Sequence, residues 1–178
     1  MFFSFRAVKY IKSCLRYDGG FSQGPGMESH GGSTYCAVAA LHLMGRLDSA
    51  LSPSQRRGLV RWCTARLAAE TASSSLPGFC GRPNKPADTC YSFWVGGALS
   101  LLDPDFGPDG VKAFLARARD FVAHTQDLPR GGLSKWRDNG ADPLHTYLGL
   151  GGLSLAGEPG IAEVEPAVNV ARAALPSS

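Results

Sequence analysis

The sequence has no apolar run long enough to cross a membrane, and none of signal-peptide length, because Arg6, Lys9 and Lys12 interrupt the apolar opening Met1 to Phe5. It lacks a dominant charge: 18 Lys and Arg stand against 15 Asp and Glu, and a net charge of +3 leaves no basic stripe that would speak for nucleic acid. It lacks a paired cysteine pattern. Its five cysteines are an odd number at scattered positions, which argues against a secreted disulfide framework and for a reducing, cytoplasmic setting. It also lacks strict apolar–polar alternation, so the expected fold is all-α.

What the sequence does hold is glycine, 22 of 178 residues, in a chain whose 44% hydrophobic and 19% charged make-up suits one folded domain. So many glycines beside helical periodicity imply repeated tight turns. Three segments share a layout: a Gly-Gly-aromatic or similar turn, a polar stretch, then a helix with an early tyrosine. They run from Gly19-Gly20-Phe21 through His30 to Tyr35, from Gly78-Phe79 through Asp88 to Tyr91, and from Gly131-Gly132-Leu133 through His145 to Tyr147. Gly20, Gly78 and Gly132 mark equivalent points 58 and 54 residues apart, room for two helices per unit, so helical hairpins stacked side by side are expected. Ser52-Pro53 reads as an N-cap and first helical residue, with Leu59, Val60, Cys63 and Leu67 following on one face. After Pro108, a second apolar stripe comprises Val111, Phe114, Leu115, Ala118, Phe121 and Val122. Helices expected near Ser33, Asp88 and Asp142 are apolar on most sides and are assigned to an inner layer. The repeats are expected to fill residues 1–157, and 158–178 to be an irregular tail.

The most informative stretch runs from Gly81 to Trp94. Arg82 and Lys85 precede Asp88 and Cys90, all at or just before a helix N-terminus, an end that favours anions. Alone, Asp88 and Cys90 read as a helix cap beside a buried thiol. In the third repeat, however, His145 falls in the first turn of the equivalent helix. Stacked repeats bring the three together as O, S and N donors with a fourth tetrahedral position open, the pattern of a catalytic zinc. In the first repeat, Gly31-Gly32 permits close backbone approach. His30 with Arg82, Lys85 and the Tyr91 hydroxyl then suits a diphosphate. Tyr35, Cys36, Phe93 and Trp94 lie nearby, and the residues leave open whether they are core or lipid site.

Three stretches resemble the β subunit of type I protein geranylgeranyltransferase, and the likeness covers nearly all of Tyr10 to Gly157. They are Gly81-Arg82-Pro83-Asn84-Lys85-Pro86, continuing through Asp88-Thr89-Cys90-Tyr91-Ser92-Phe93-Trp94; Glu28 to Thr34; and Leu144-His145 followed by Gly152 to Leu155. The resemblance implies an α/α toroid around an apolar funnel, present here as a partial ring of about three repeats from the family's C-terminal half. It makes Asp88, Cys90 and His145 zinc ligands, and assigns geranylgeranyl diphosphate to His30, Gly31, Gly32, Arg82, Pro83, Asn84, Lys85, Tyr91, Ser92, Phe93 and Trp94. It further implies a heterodimer with an α subunit, and transfer of the lipid to C-terminal C-a-a-X cysteines, often ending in leucine, on proteins such as small GTPases. Lys135, ten residues before His145, stands where the farnesyl enzyme carries an aspartate that helps bind Mg²⁺, so Mg²⁺ is not expected to be required. Leu144 also follows the type I pattern, the farnesyl enzyme having tyrosine there.

Two alternatives remain, a farnesyltransferase β subunit and a truncated, inactive helical-repeat scaffold, which would hold no zinc. Terpene cyclases share the toroid but need an aspartate-rich acid motif, and no cluster of three aspartates occurs. Family β subunits are longer than this chain. Inner helices carrying Val38, Leu41, Leu148 and Leu150 are therefore expected to expose apolar faces.

Overall fold

The computed structural model describes residues 2–68, 76–103, 106 and 110–176. Its helices are α1 (Phe2–Ser13), α2 (Gly31–Leu43), α3 (Leu47–Ala50), α4 (Pro53–Thr64), α5 (Tyr91–Leu102), α6 (Gly110–Ala116), α7 (Arg119–Ala123) and α8 (Pro143–Leu155). Two antiparallel pairs of two residues each, β1 (Leu67–Ala68) with β2 (Gly78–Phe79) and β3 (Val164–Glu165) with β4 (Val170–Ala171), leave the fold all-α in character.

The helix ends follow local chemistry. Ser52 and Gln55 form a reciprocal capping box and Pro53 occupies the first turn of α4, as the sequence predicts. His30 caps α2 with its side chain, and Asp142 caps α8. At the other end of α2, Gly45 takes φ +63° while its N–H reaches the His42 carbonyl and the Arg46 N–H reaches Leu41. Gly157 closes α8 in the same manner, which satisfies carbonyls that the helix leaves without partners.

The three-fold repeat is written in backbone hydrogen bonds. His30, Asp88 and Asp142 donate their N–H to the carbonyls of Phe21, Phe79 and Leu133, at 2.9, 3.0 and 3.2 Å. Ser22, Cys80 and Ser134 likewise donate to Cys14, Arg66 and Thr125. The register agrees with the equivalence of Gly20, Gly78 and Gly132. It makes Asp142, not His145, the counterpart of His30 and Asp88.

Helices α2, α5 and α8 form the inner layer, with α5 in the middle against both and α4 and α6 covering it from outside. Glycines set the spacing: a Cβ on Gly97 would lie 2.8 Å from the Tyr35 ring, and one on Gly152 would lie 2.5 Å from the Ser92 Cβ. Of the apolar residues expected to be uncovered, Val38, Leu41 and Leu148 are buried within these contacts, and Leu150 is exposed. Leu43, Leu128, Leu144 and Tyr147 are exposed as well.

Two local expectations change. The stripe after Pro108, itself outside the described residues, is not one helix. Arg117 and Ala118 donate to carbonyls three residues back, the tighter turn that separates α6 from α7. Val111, Leu115 and Ala118 join the main core, while Phe121 and Val122 join a second cluster with Ala87, Leu133 and Leu153. The stretch expected to be an irregular tail carries the β3–β4 hairpin. Tyr35 Oη donates to the Pro166 carbonyl at 2.8 Å and Tyr147 Oη to that of Asn169 at 2.6 Å. Ala167 and Asn169 are buried, with Asn169 at φ +51°. The hairpin is ordered because inner-helix hydroxyls hold its backbone.

Candidate metal and anion site

The stacked repeats bring the starts of α5 and α8 together. Thr89 donates its N–H to the Lys135 carbonyl at 3.0 Å, which ties the loop before α8 to the foot of α5. Asp88, Cys90 and His145 meet there, with one ligand atom of each lying within 4.8 Å of the others. Asp88 Oδ1 also accepts the Cys90 N–H at 3.0 Å. All three residues are buried.

The donor set fits a cation. Asp142 caps α8 by accepting the His145 N–H on Oδ1 and faces the ring Nδ1 with Oδ2 at 2.6 Å. A carboxylate there fixes the neutral imidazole as the Nδ1–H tautomer and turns the Nε2 lone pair inward. Nε2 then lies 3.2 Å from Asp88 Oδ1, two acceptors facing each other. A proton or a metal ion between them removes the conflict, and the adjacent sulfur favours a metal such as zinc. Without a metal, burial and the Asp88 carboxylate push the Cys90 thiol far above its ordinary range, partly offset by Lys135. Hydrogen bonds from the His145 backbone and ring hold Asp142 below the ordinary aspartate range. The role of Asp142 was not read from the sequence, although an aspartate three residues before a ligand histidine at a helix start is its signal.

Beside this cluster lies a second, polar one. Asn84 at φ +59° turns the Arg82-Pro83-Asn84-Lys85 segment, with proline and asparagine in the positions such a turn favours. Gly31 donates to the Gly81 carbonyl at 2.9 Å, joining this turn to the start of α2. The Tyr91 ring lies directly on Gly81, where any side chain would collide with it, and its hydroxyl meets His30 Nε2 at 2.9 Å. His30 Nδ1 accepts the Gly32 N–H at 3.1 Å, so in the neutral ring the proton sits on Nε2 and is donated to Tyr91. The tyrosine O–H is thereby free to donate outward.

The residue type of His30 allows a positive charge, but its surroundings disfavour one. Burial, and next the nearby Arg82, lower its pKa, so at neutral pH it orients Tyr91 as an uncharged ring. Tyr91 is pushed up to about 12 by burial, with Cys90 and Asp88 adding to it, and remains a donor.

Arg82 pairs with Glu28 at 2.8 Å, and Lys85 is exposed with no ion pair among the described residues. Lys135 Nζ lies 3.8 Å from Asp88 Oδ2 and 4.5 Å from the centre of the Trp136 ring, so its charge stands at the edge of the metal cluster. Trp94 is half-buried, with its ring 5.1 Å from that of Tyr35. Ser92 and Phe93, expected at the lipid, are packed away instead: Ser92 against Gly152, and Phe93, fully buried, against Gly151 and Tyr35. Pro83 and Asn84 are exposed on the turn. A surface hollow of about 630 Å³, lined by residues such as Asp127, Leu128, Arg130 and Arg137, contains none of these groups.

The family model of the prenyltransferase alpha-alpha toroid domain matches residues 4–170. The geranylgeranyl transferase type-1 subunit beta of Dictyostelium discoideum is 40% identical over 172 residues, covering 94% of this chain and 44% of that protein. The protein farnesyltransferase subunit beta of Pisum sativum is 43% identical over 93 residues, 52% of this chain and 20% of the relative. The structure of Candida albicans protein geranylgeranyltransferase-I complexed with GGPP superimposes with a TM-score of 0.77 at 29% identity, over 93% of this chain and 47% of that one. The chain thus spans under half the length of the type-1 relative it matches. With its repeated inner helices and a family match over nearly its whole length, the chain belongs to the prenyltransferase α/α toroid family.

Proposed function

We propose that this chain is the zinc- and diphosphate-binding portion of a type I protein geranylgeranyltransferase β subunit, acting in the cytoplasm as a heterodimer with an α subunit. The observation that carries the reading is the meeting of Asp88, Cys90 and His145 beside Tyr91 and Arg82, with Lys85 on the same turn as Arg82. Zinc held by those three residues would supply a substrate cysteine as thiolate at neutral pH. Its sulfur forms a bond to C1 of the geranylgeranyl chain, the C1–O bond breaks, and the electron pair leaves with pyrophosphate. Arg82, Lys85 and the Tyr91 hydroxyl meet the charge that grows on the leaving group, which lowers the barrier because that charge is larger in the transition state. His30 aims the Tyr91 hydroxyl, and Asp142 aims His145.

Lys135 favours type I over the farnesyl reading that the Pisum sativum likeness keeps alive, since its ammonium supplies the charge an Mg²⁺ ion would otherwise bring. The test is transfer of labelled geranylgeranyl diphosphate to a C-a-a-X peptide ending in leucine, by the complete heterodimer. Turnover with geranylgeranyl and little with farnesyl diphosphate supports the assignment, and the reverse preference overturns it. In the same assay Lys135→Asp is expected to make turnover depend on added Mg²⁺. An unchanged metal response would count against type I.

A further inference from the structure

Glu28 stands in the polar cluster with no part in the chemistry above. Its Oε2 lies 2.8 Å from Arg82 Nη1, a contact between residues 54 apart in sequence. The pair is not a chance meeting of loose surface side chains. Ser29, next to Glu28, is buried, and its hydroxyl donates to Asp18 at 2.6 Å. His30, two residues on, is fixed as the cap of α2, and Gly31 is hydrogen-bonded to Gly81, next to Arg82. Both partners are thus presented from backbone that is cross-linked, while their charged ends remain solvent-accessible.

We infer that Glu28 is an electrostatic brake on the diphosphate site, competing with the anion for Arg82 and so easing release of product pyrophosphate. The inference rests on the reading of this cluster as a diphosphate site. An exposed ion pair is weak enough for an incoming anion to displace. Once displaced, the carboxylate stays beside the ligand and repels it, and a unit charge about 4 Å away in water changes a binding constant by roughly fivefold. Glu28 is therefore a positioning and tuning residue, and its removal should strengthen binding where loss of a true ligand would weaken it.

The experiment is titration of the zinc-loaded chain with inorganic pyrophosphate at two ionic strengths. Glu28→Gln should bind roughly fivefold more tightly than wild type at low salt, with the difference shrinking as salt rises. Glu28→Asp should return towards wild type. In the complete heterodimer, Glu28→Gln should be inhibited by pyrophosphate at lower concentration. Equal or weaker binding by Glu28→Gln overturns the brake. If wild type and Arg82→Gln alike fail to bind pyrophosphate, the diphosphate reading itself falls, and the brake with it.

Discussion

The zinc-reconstituted chain is expected to retain about one zinc per molecule after gel filtration, and Cys90→Ala to retain essentially none, because the change removes the soft donor of a three-ligand site. The size of the loss follows from where Cys90 sits. Asp88 and His145 alone leave an O,N pair whose members can satisfy each other through a proton on Nε2, given their 3.2 Å separation. The sulfur has no comparable substitute. Its burial beside Asp88 keeps the thiol protonated without metal, so zinc uptake by wild type at neutral pH should release a proton that an indicator dye detects. Cys90→Ala should release none. Asp142→Ala keeps all three ligands but frees the imidazole, and a loss of roughly 10–100-fold in zinc affinity is expected from removing such a support. Atomic absorption and competition with a chelator distinguish these cases. Undiminished zinc in both Cys90→Ala and His145→Ala would place the metal elsewhere, and a wild-type chain that retains no zinc would return it to the scaffold reading.

Much of this site was legible because its parts lie at the starts of repeat-equivalent helices. Residue types at Asp88, Cys90 and His145, with repeat spacing, suffice to bring three donors to neighbouring helix starts. What the sequence could not carry is the direction of each side chain. His30 is of a type that can be cationic or neutral. Its charge is decided by burial and by Arg82, which faces it from 52 residues away. For Phe93 and Trp94 the residues left core and lipid site open, and the resemblance assigned both to the isoprenoid diphosphate. One residue along a helix turns the side chain by about 100°, which takes Phe93 into the Gly151 contact while Trp94 remains half-buried. The hairpin of the tail was illegible for a different reason. A proline- and alanine-rich segment has no periodicity of its own, and its order comes from hydroxyls of Tyr35 and Tyr147, the former 131 residues away.

The glycines of α8 set its spacing from α5 beside the metal site, and Gly152→Val is expected to be strongly damaging. A Cβ there would lie 2.5 Å from the Ser92 Cβ and 2.9 Å from its backbone carbonyl carbon, so a rotamer change cannot make room. Replacing glycine within a helix ordinarily helps by reducing backbone freedom. Here the helix preference is outweighed, because α5 and α8 must separate and the overpacking alone costs about 1–3 kcal/mol, to which the loosened packing of the flanking helices adds. For a chain of this length the midpoint of thermal unfolding should fall by roughly 5–10 °C. Gly140→Ala is the control, since a Cβ at Gly140 meets nothing within 4 Å. The same separation moves His145 on α8 away from Asp88 and Cys90 at the start of α5. Zinc affinity should therefore fall in Gly152→Val at temperatures where circular dichroism still reports folded protein, and remain unchanged in Gly140→Ala. Loss of stability with intact zinc affinity would show that the metal site is held by the loops around Asp88 and Lys135, through bonds such as Thr89 to the Lys135 carbonyl, and not by the spacing of the inner helices.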